Sequence, residues 1–255
     1  MKHLLANWKM HLGVRESVAM ARAILRDMRG KEQNPHVIVF PSHTALAEVR
    51  KTLAHTKVHL GAQGVSRERG GAHTGQISAH MLEDIGATHV IVGHPEHELG
   101  GARIDAIQQT LAVLAQSPIQ PVIYVGQDIS SSEKLHLSAI MQELEVIVAA
   151  GKGTSPAGHK HKLMLLLEPG YVTTSGAPAD ATQIARLFDE TRVYLAENGY
   201  PQESVVLCYG GHVTMESAHS FLREPAIDGL AIGAASIKLN QFLSIMQDAR
   251  DVMRA

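Results

Sequence analysis

Short apolar runs alternate along the chain with longer segments in which hydrophobic positions return every three or four residues. The runs read as strands and the periodic segments as helices. In order, the pattern predicts strands at His3–Asn7, Val37–Phe40, Val58–Gly61, Thr88–Val92, Val122–Val125, Leu163–Leu167, Ser204–Cys208 and Ile227–Ile232. Helices are expected from about Arg15 to Arg29, closed by Gly30, then after Pro41 and Ser42 through Leu53. Further helices are expected over Arg103–Leu114, Ser131–Ala150 and Ala179–Glu197, and across about the last fifteen residues. The run Leu163-Met-Leu-Leu-Leu167 is apolar throughout, as a strand buried on both faces in a parallel sheet requires. It stops at Glu168, and Pro169 prevents a regular continuation. Eight strands alternating with helices over this length predict a single (β/α)8 barrel domain covering residues 1–255. A doubly wound open sheet is the alternative on pattern alone.

Composition narrows the picture. The chain has 255 residues, 45% of them hydrophobic but only 4% aromatic, so its core is built from aliphatic side chains. Formal net charge is -2 and no basic run occurs, which removes nucleic acid and anionic membranes as expected partners. The single cysteine, Cys208, excludes an internal disulfide, fits a reducing compartment and reads as a small buried residue. The first residues lack the apolar core of a signal peptide and no membrane-length apolar run follows, so a soluble, cytoplasmic protein is expected.

In a parallel barrel all strand ends meet at one mouth. Strand one delivers Asn7, Trp8 and Lys9; strand four His94, Pro95 and Glu96; strand six Glu168. Strand seven ends in Tyr209, Gly210, Gly211 and His212, and strand eight in Gly233, Ala234, Ala235 and Ser236. A carboxylate, an imidazole and an ammonium group then stand beside two turns of small residues. The turns leave backbone N–H groups open to an anion, and barrels favour that position for phosphate. The side chains suit proton abstraction next to a carbonyl, with the lysine offsetting charge that develops on oxygen. Any one of these residues alone is more often structural; together at matching strand ends they point to catalysis.

The motifs themselves carry a resemblance. Asn7-Trp8-Lys9-Met10, Gly61-Ala62-Gln63, Ala72-His73-Thr74-Gly75-Gln76-Ile77-Ser78, Ile91-Val92-Gly93-His94, Leu167-Glu168-Pro169, Tyr209-Gly210-Gly211 and Asp228-Gly229 through Ala235-Ser236 occur in the order and spacing of the triosephosphate isomerase family. The sequence therefore resembles that family over nearly its whole length. The resemblance implies Glu168 as the base that moves a proton between adjacent carbons and His94 as a neutral imidazole that polarises the carbonyl. It implies Lys9 and Asn7 near the enediolate, and a phosphate grip by Thr174, His212, Gly233 and Ala234, with Gly210 and Gly211 in support. A helix N-terminus after His94 would depress its pKa. Residues 169–177 would be a lid, and the loop 62–78 would dock a second subunit to make a homodimer. No cofactor and no metal are implied.

The chain departs from the family pattern around the substrate. Pro95 stands for a serine, His97 for an arginine, Gln76 and Gln127 for glutamates, His212 for a serine and Ala234 for a glycine. The segment from Glu98 to Ala102 is shorter than the family's, and Gly170-Tyr-Val-Thr-Thr174 replaces the usual lid sequence. Glu96 is expected to pair with Lys9 rather than to act as an acid. A metal site from His94, His97, Glu96 and Glu98, or from His159 and His161, is set aside because sixteen histidines make such clusters common. Arg67 and Arg69 read as a solvated patch or as dimer contacts. The expected activity is interconversion of glyceraldehyde 3-phosphate and dihydroxyacetone phosphate, hence glycolysis and gluconeogenesis. The alternatives are an isomerase of another small phosphosugar, such as a tetrose phosphate, and a silent barrel that binds a phosphorylated metabolite.

Overall fold

A computed structural model describes residues 1–97, 103–152 and 162–255. Eight parallel strands close into a barrel in sequence order: β1 (His3–Asn7), β2 (His36–Phe40), β3 (His59–Ala62), β4 (His89–Val92), β5 (Gln120–Val125), β6 (Leu163–Leu167), β7 (Val205–Tyr209) and β8 (Gly229–Ile232). The closing pair is β8 with β1, where Ala6 lies opposite Ile232. Closure satisfies every strand edge and puts all eight C-terminal ends at one mouth.

The described helices are α1 (Val14–Met28), α2 (Leu46–Leu53), α3 (Ala79–Ile85), α4 (Arg103–Leu114), α5 (Met141–Lys152), α6 (Gly170–Ser175), α7 (Ala181–Glu197), α8 (Met215–Arg223) and α9 (Leu239–Arg254). None of them is long and apolar enough to cross a membrane. Two cores follow from the period-two alternation of the strands. Leu4, Ala6, Val37, Val39, Leu165 and Leu207 face outward beneath the helices. Leu5, Ile38, Ile91, Val122, Met164 and Val206 fill the barrel itself, with Cys208 among them and fully buried.

The barrel and its strand order are as the sequence predicts, with strand limits displaced by a residue or two. Three local expectations are corrected. The segment 131–150 is not one helix: Ser132–Lys134 and Leu137–Ala139 are separate 3-10 turns, and α5 begins only at Met141. Serines at 131, 132 and 138 compete for backbone hydrogen bonds and favour such turns over helix interiors. The lid sequence contains a short helix, α6, ended by Gly176 in the left-handed region at φ 68°. Finally, α3 and α8 occupy stretches with no predicted helix. Both are short, but each has a capping hydroxyl: Ser78 accepts from the Met81 N–H and Thr214 from that of Ser217.

Candidate active site

The mouth of the barrel encloses a cavity of about 450 Å³. Asn7, Lys9, His94 and Glu168 line it from β1, β4 and β6. Gly211, His212, Gly233 and Ala234 line it from the ends of β7 and β8. Residues from strands far apart in sequence thus meet because parallel strands end together.

Lys9 follows the end of β1 with φ 47°, a conformation that costs a non-glycine residue about 1–3 kcal/mol. Its surroundings enforce it. The Lys9 N–H donates to Asn7 Oδ1 at 3.1 Å, and Gln63 Nε2 donates to the carbonyls of Lys9 and Phe40 at 2.8 and 2.9 Å. The ammonium group reaches Glu96 Oε1 at 2.5 Å, so Glu96 is the partner of Lys9 as expected. Trp8 beneath is fully buried.

His94 is 3% exposed. Its imidazole packs on the Tyr124 ring with centroids 4.6 Å apart, and the Tyr124 phenol meets the Asn7 carboxamide. The turn that follows determines its tautomer. The His97 N–H donates to the His94 carbonyl at 3.0 Å, which places Pro95 at the second position of a β-turn, where its fixed φ fits. The same turn aims the Glu96 N–H at His94 Nδ1, 3.0 Å away. An Nδ1 that accepts leaves the neutral ring's proton on Nε2. Burial pushes the pKa down to about 4; Glu96 opposes this, while Lys9 and His97 reinforce it. Desolvation is therefore the main cause of the neutral state; residues 95–97 form a turn, and the stretch 98–102 beyond it, where the expected helix N-terminus would fall, lies outside the described residues.

Glu168 follows β6 directly, with its N–H on the Val125 carbonyl and its own carbonyl held by Gln127 Nε2 at 2.9 Å. Burial raises its carboxyl above the ordinary range; Lys9 lowers it and Glu96 raises it further. Gly210 makes room for Leu166: a Cβ there would stand 2.7 Å from Leu166 Cδ2, and in ordinary contact, 3.4 Å, with Glu168 Oε2. Gly210 supports the cavity from behind, while Gly211 lines it.

The segment after Glu168 is pinned at both ends. The N–H groups of Gly170 and Tyr171 donate to the carbonyls of Gly126 and Ile129 at 3.2 and 2.9 Å. A Cβ at Gly170 would lie 2.1 Å from the Gln127 carbonyl oxygen, so only glycine allows this approach. At the far end the Tyr209 hydroxyl accepts from the Ala179 N–H and donates to the Gly211 carbonyl, both at 2.9 Å. Between them, Val172 and Thr173 face the cavity. Thr174 does not: it is exposed and its hydroxyl donates to the Tyr171 carbonyl.

The small residues after β8 form a 3-10 turn, Ala234–Ile237, entered through Gly233. Ala234 keeps a negative φ, so its methyl group is tolerated without strain. His212 is exposed at φ 48°. Sequence reasoning did not find Gln63 as the clamp on Lys9, Tyr124 beneath His94, Thr173, or Lys238 and Gln241 at the cavity wall. Tyr124 was findable, as a polar aromatic ending an apolar strand. The others depend on loop geometry that no short motif encodes. Glu98, His159 and His161, raised as ligand candidates, and the shortened segment 98–102 lie outside the described residues.

A family model described as triosephosphate isomerase matches residues 2–249. The triosephosphate isomerase of Treponema pallidum is 34% identical over 243 residues, covering 94% of this chain and 95% of its own. That of Coxiella burnetii is 31% identical over 244 residues and 94% of each chain. The family match runs through every strand that supplies the cavity. A closed eight-stranded barrel with this mouth, matched nearly end to end, is a member of the triosephosphate isomerase family.

Proposed function

We propose that the chain interconverts glyceraldehyde 3-phosphate and dihydroxyacetone phosphate. One observation carries the reading: a half-buried carboxylate of raised pKa and a buried neutral imidazole share a small cavity with an ammonium group. Glu168 removes a proton from the carbon beside the carbonyl and returns it to the neighbouring carbon. His94, through Nε2–H, donates a hydrogen bond to the carbonyl oxygen and shuttles protons between the two oxygens. Lys9 stabilises the enediolate charge, and Asn7 holds Lys9 and the Tyr124 phenol in place. The backbone at Gly211, Gly233 and Ala234, with the His212 side chain beside it, receives the phosphate. Thr174 would join only if the segment 169–177 moved over the substrate as a lid; Thr173 is nearer in this arrangement. A closed lid would exclude water from the enediolate.

The test is a coupled assay without added metal, comparing wild type with Glu168→Gln. Loss of the base is expected to lower kcat by about 10²–10⁴-fold. A folded wild type without turnover would reject the reading. Turnover of a tetrose phosphate instead would shift the substrate, and binding without turnover of either would identify a silent binder.

The same reading includes a homodimer through the loop 62–78. Its base is closed by the Ser66 N–H on the Ile77 carbonyl at 2.8 Å, and its tip around Thr74 and Gly75 is exposed. Seventeen or so residues of irregular chain held this way are uncommon unless they bind something. Arg69 is held by Gln116 of its own chain, which leaves Arg67 as the more available contact. Light scattering at micromolar concentration is expected to give twice the chain mass, and a monodisperse monomer would overturn this part.

A further inference from the structure

Outside the barrel wall, Arg103 and Glu143 form an ion pair that the proposed chemistry does not use. Arg103 opens α4 and Glu143 lies in the first turn of α5, so the pair joins two neighbouring helices across the tops of their strands. Each partner also grips backbone. Arg103 Nη1 donates to the carbonyls of Gly93 and Tyr124 at 3.4 and 3.3 Å. Glu143 Oε2 accepts the Gly126 N–H at 2.8 Å.

These three backbone groups all lead into the cavity. Gly93 immediately precedes His94, and the Tyr124 ring supports the His94 imidazole. The Gly126 carbonyl accepts the Gly170 N–H, two residues beyond Glu168, and the adjacent Gln127 holds the Glu168 carbonyl. One charge pair thus ties the chain that carries the imidazole to the chain that carries the carboxylate. Glu143 is only 4% exposed. Ion pairs that deep lose so much solvation that apolar replacements are often as stable, which makes stability alone a weak reason for this one.

We propose that Arg103 and Glu143 are positioning residues that set the placement of His94 relative to Glu168 across the mouth. The proposal rests on the isomerase reading above. It separates two parts of the site. The His94 and Glu168 side depends on the pair, whereas the phosphate side, at the ends of β7 and β8, shares none of the pair's backbone contacts and does not.

The experiment compares wild type with the double variant Arg103→Met/Glu143→Gln, which leaves neither charge buried alone. Three quantities are read: kcat and KM, affinity for phosphoglycolate as an enediolate mimic, and affinity for inorganic phosphate. Displacement of reacting groups by an ångström costs on the order of a hundredfold, so a ten- to hundredfold lower kcat is expected. KM should change by less than roughly threefold, phosphoglycolate should weaken about tenfold or more, and phosphate should bind as before. A folded variant with wild-type kcat and wild-type phosphoglycolate affinity overturns the proposal. Equal weakening of phosphoglycolate and phosphate also overturns it, because that marks general loosening. If the double variant does not fold, Arg103→Lys gives the same comparison, keeping charge but losing the fork whose Nη1 reaches the two carbonyls while Nη2 meets Glu143. A wild type that binds phosphoglycolate without turnover rejects the isomerase reading, and the two affinities then decide the positioning role. A wild type that binds neither overturns both.

Discussion

At the residue scale the site depends on hydrogen bonds that leave one protonation state open. His94 illustrates this best. Its Nδ1 receives the Glu96 N–H from a turn that Pro95 is shaped to make, so a residue that departs from the family pattern still serves the geometry. Burial then disfavours the cation, and the imidazole stays neutral down to about pH 4. Isotope-labelled histidine NMR, with His94→Gln to assign the signal, is expected to show one neutral Nε2–H tautomer across the range where ordinary histidines titrate. A His94 signal that titrates at the unperturbed value of about 6.5 would refute this account. Glu168 is perturbed in the opposite sense for the same reason: burial penalises its charged form. Two groups of opposite charge type are thus both pushed towards neutrality by one desolvated cavity, which the Lys9 side chain also lines.

At the element scale, legibility followed burial. Strands such as β2 and β6 are enclosed on both faces, so Val37–Phe40 and Leu163–Leu167 are apolar without a break and could be read directly. The strand ends of the site were legible for a related reason: a polar residue that stops such a run, as Glu168 does, must lie at the mouth. The helices were less legible where they are short. The seven residues of α3 and nine of α8 give too few turns to show a 3.6-residue period, although Ser78 and Thr214 mark their starts. The opposite error arose over 131–150, where apolar residues at Leu135, Leu137 and Ile140 mimic helical spacing while Ser131, Ser132 and Ser138 favour turns. The lid segment was identified in position but not in form, because the helix in it is fixed by tertiary bonds from Gly170 and Tyr171 to the β5 turn. Those bonds also explain Thr174. Once α6 forms, its fourth and fifth residues face different ways, and Thr173 takes the cavity side.

At the scale of the whole molecule, the two ends of the barrel have opposite chemistry. The mouth carries the reactive groups, while the floor is a layer of histidines: His3, His36, His59 and His89 begin four consecutive strands. His3 Nδ1 and His36 Nδ1 are 3.0 Å apart, and the His36 and His59 ring centroids 4.3 Å. The Thr88 hydroxyl lies 2.8 Å from His89 Nδ1. Burial lowers the pKa of His3 and His36 to about 4 each. For His3, Asp228 opposes this, while Lys162, the N-terminus and His59 add to it; for His36 the neighbours are His3 and His59. The sign follows from linkage: the unfolded chain takes up protons below about pH 6.5 while the folded floor does not, so stability falls from there towards pH 4. A fully shifted histidine would lose about 2 kcal/mol by pH 5, and roughly half that once the partial exposure of both rings is allowed for. Lowered values at His59, His94 and His97 act in the same direction. The raised carboxyls of Glu168 and Asp248 act against it but are fewer. Chemical denaturation at about pH 7.5 and pH 5 should therefore show wild type losing several kcal/mol on acidification. In His3→Gln/His36→Gln the loss should be smaller by about 2 kcal/mol, whatever the substitutions cost at neutral pH. Equal losses in the two proteins would mean that the floor does not set the acid limit, and that the titration of His94 and His97 at the mouth carries it instead.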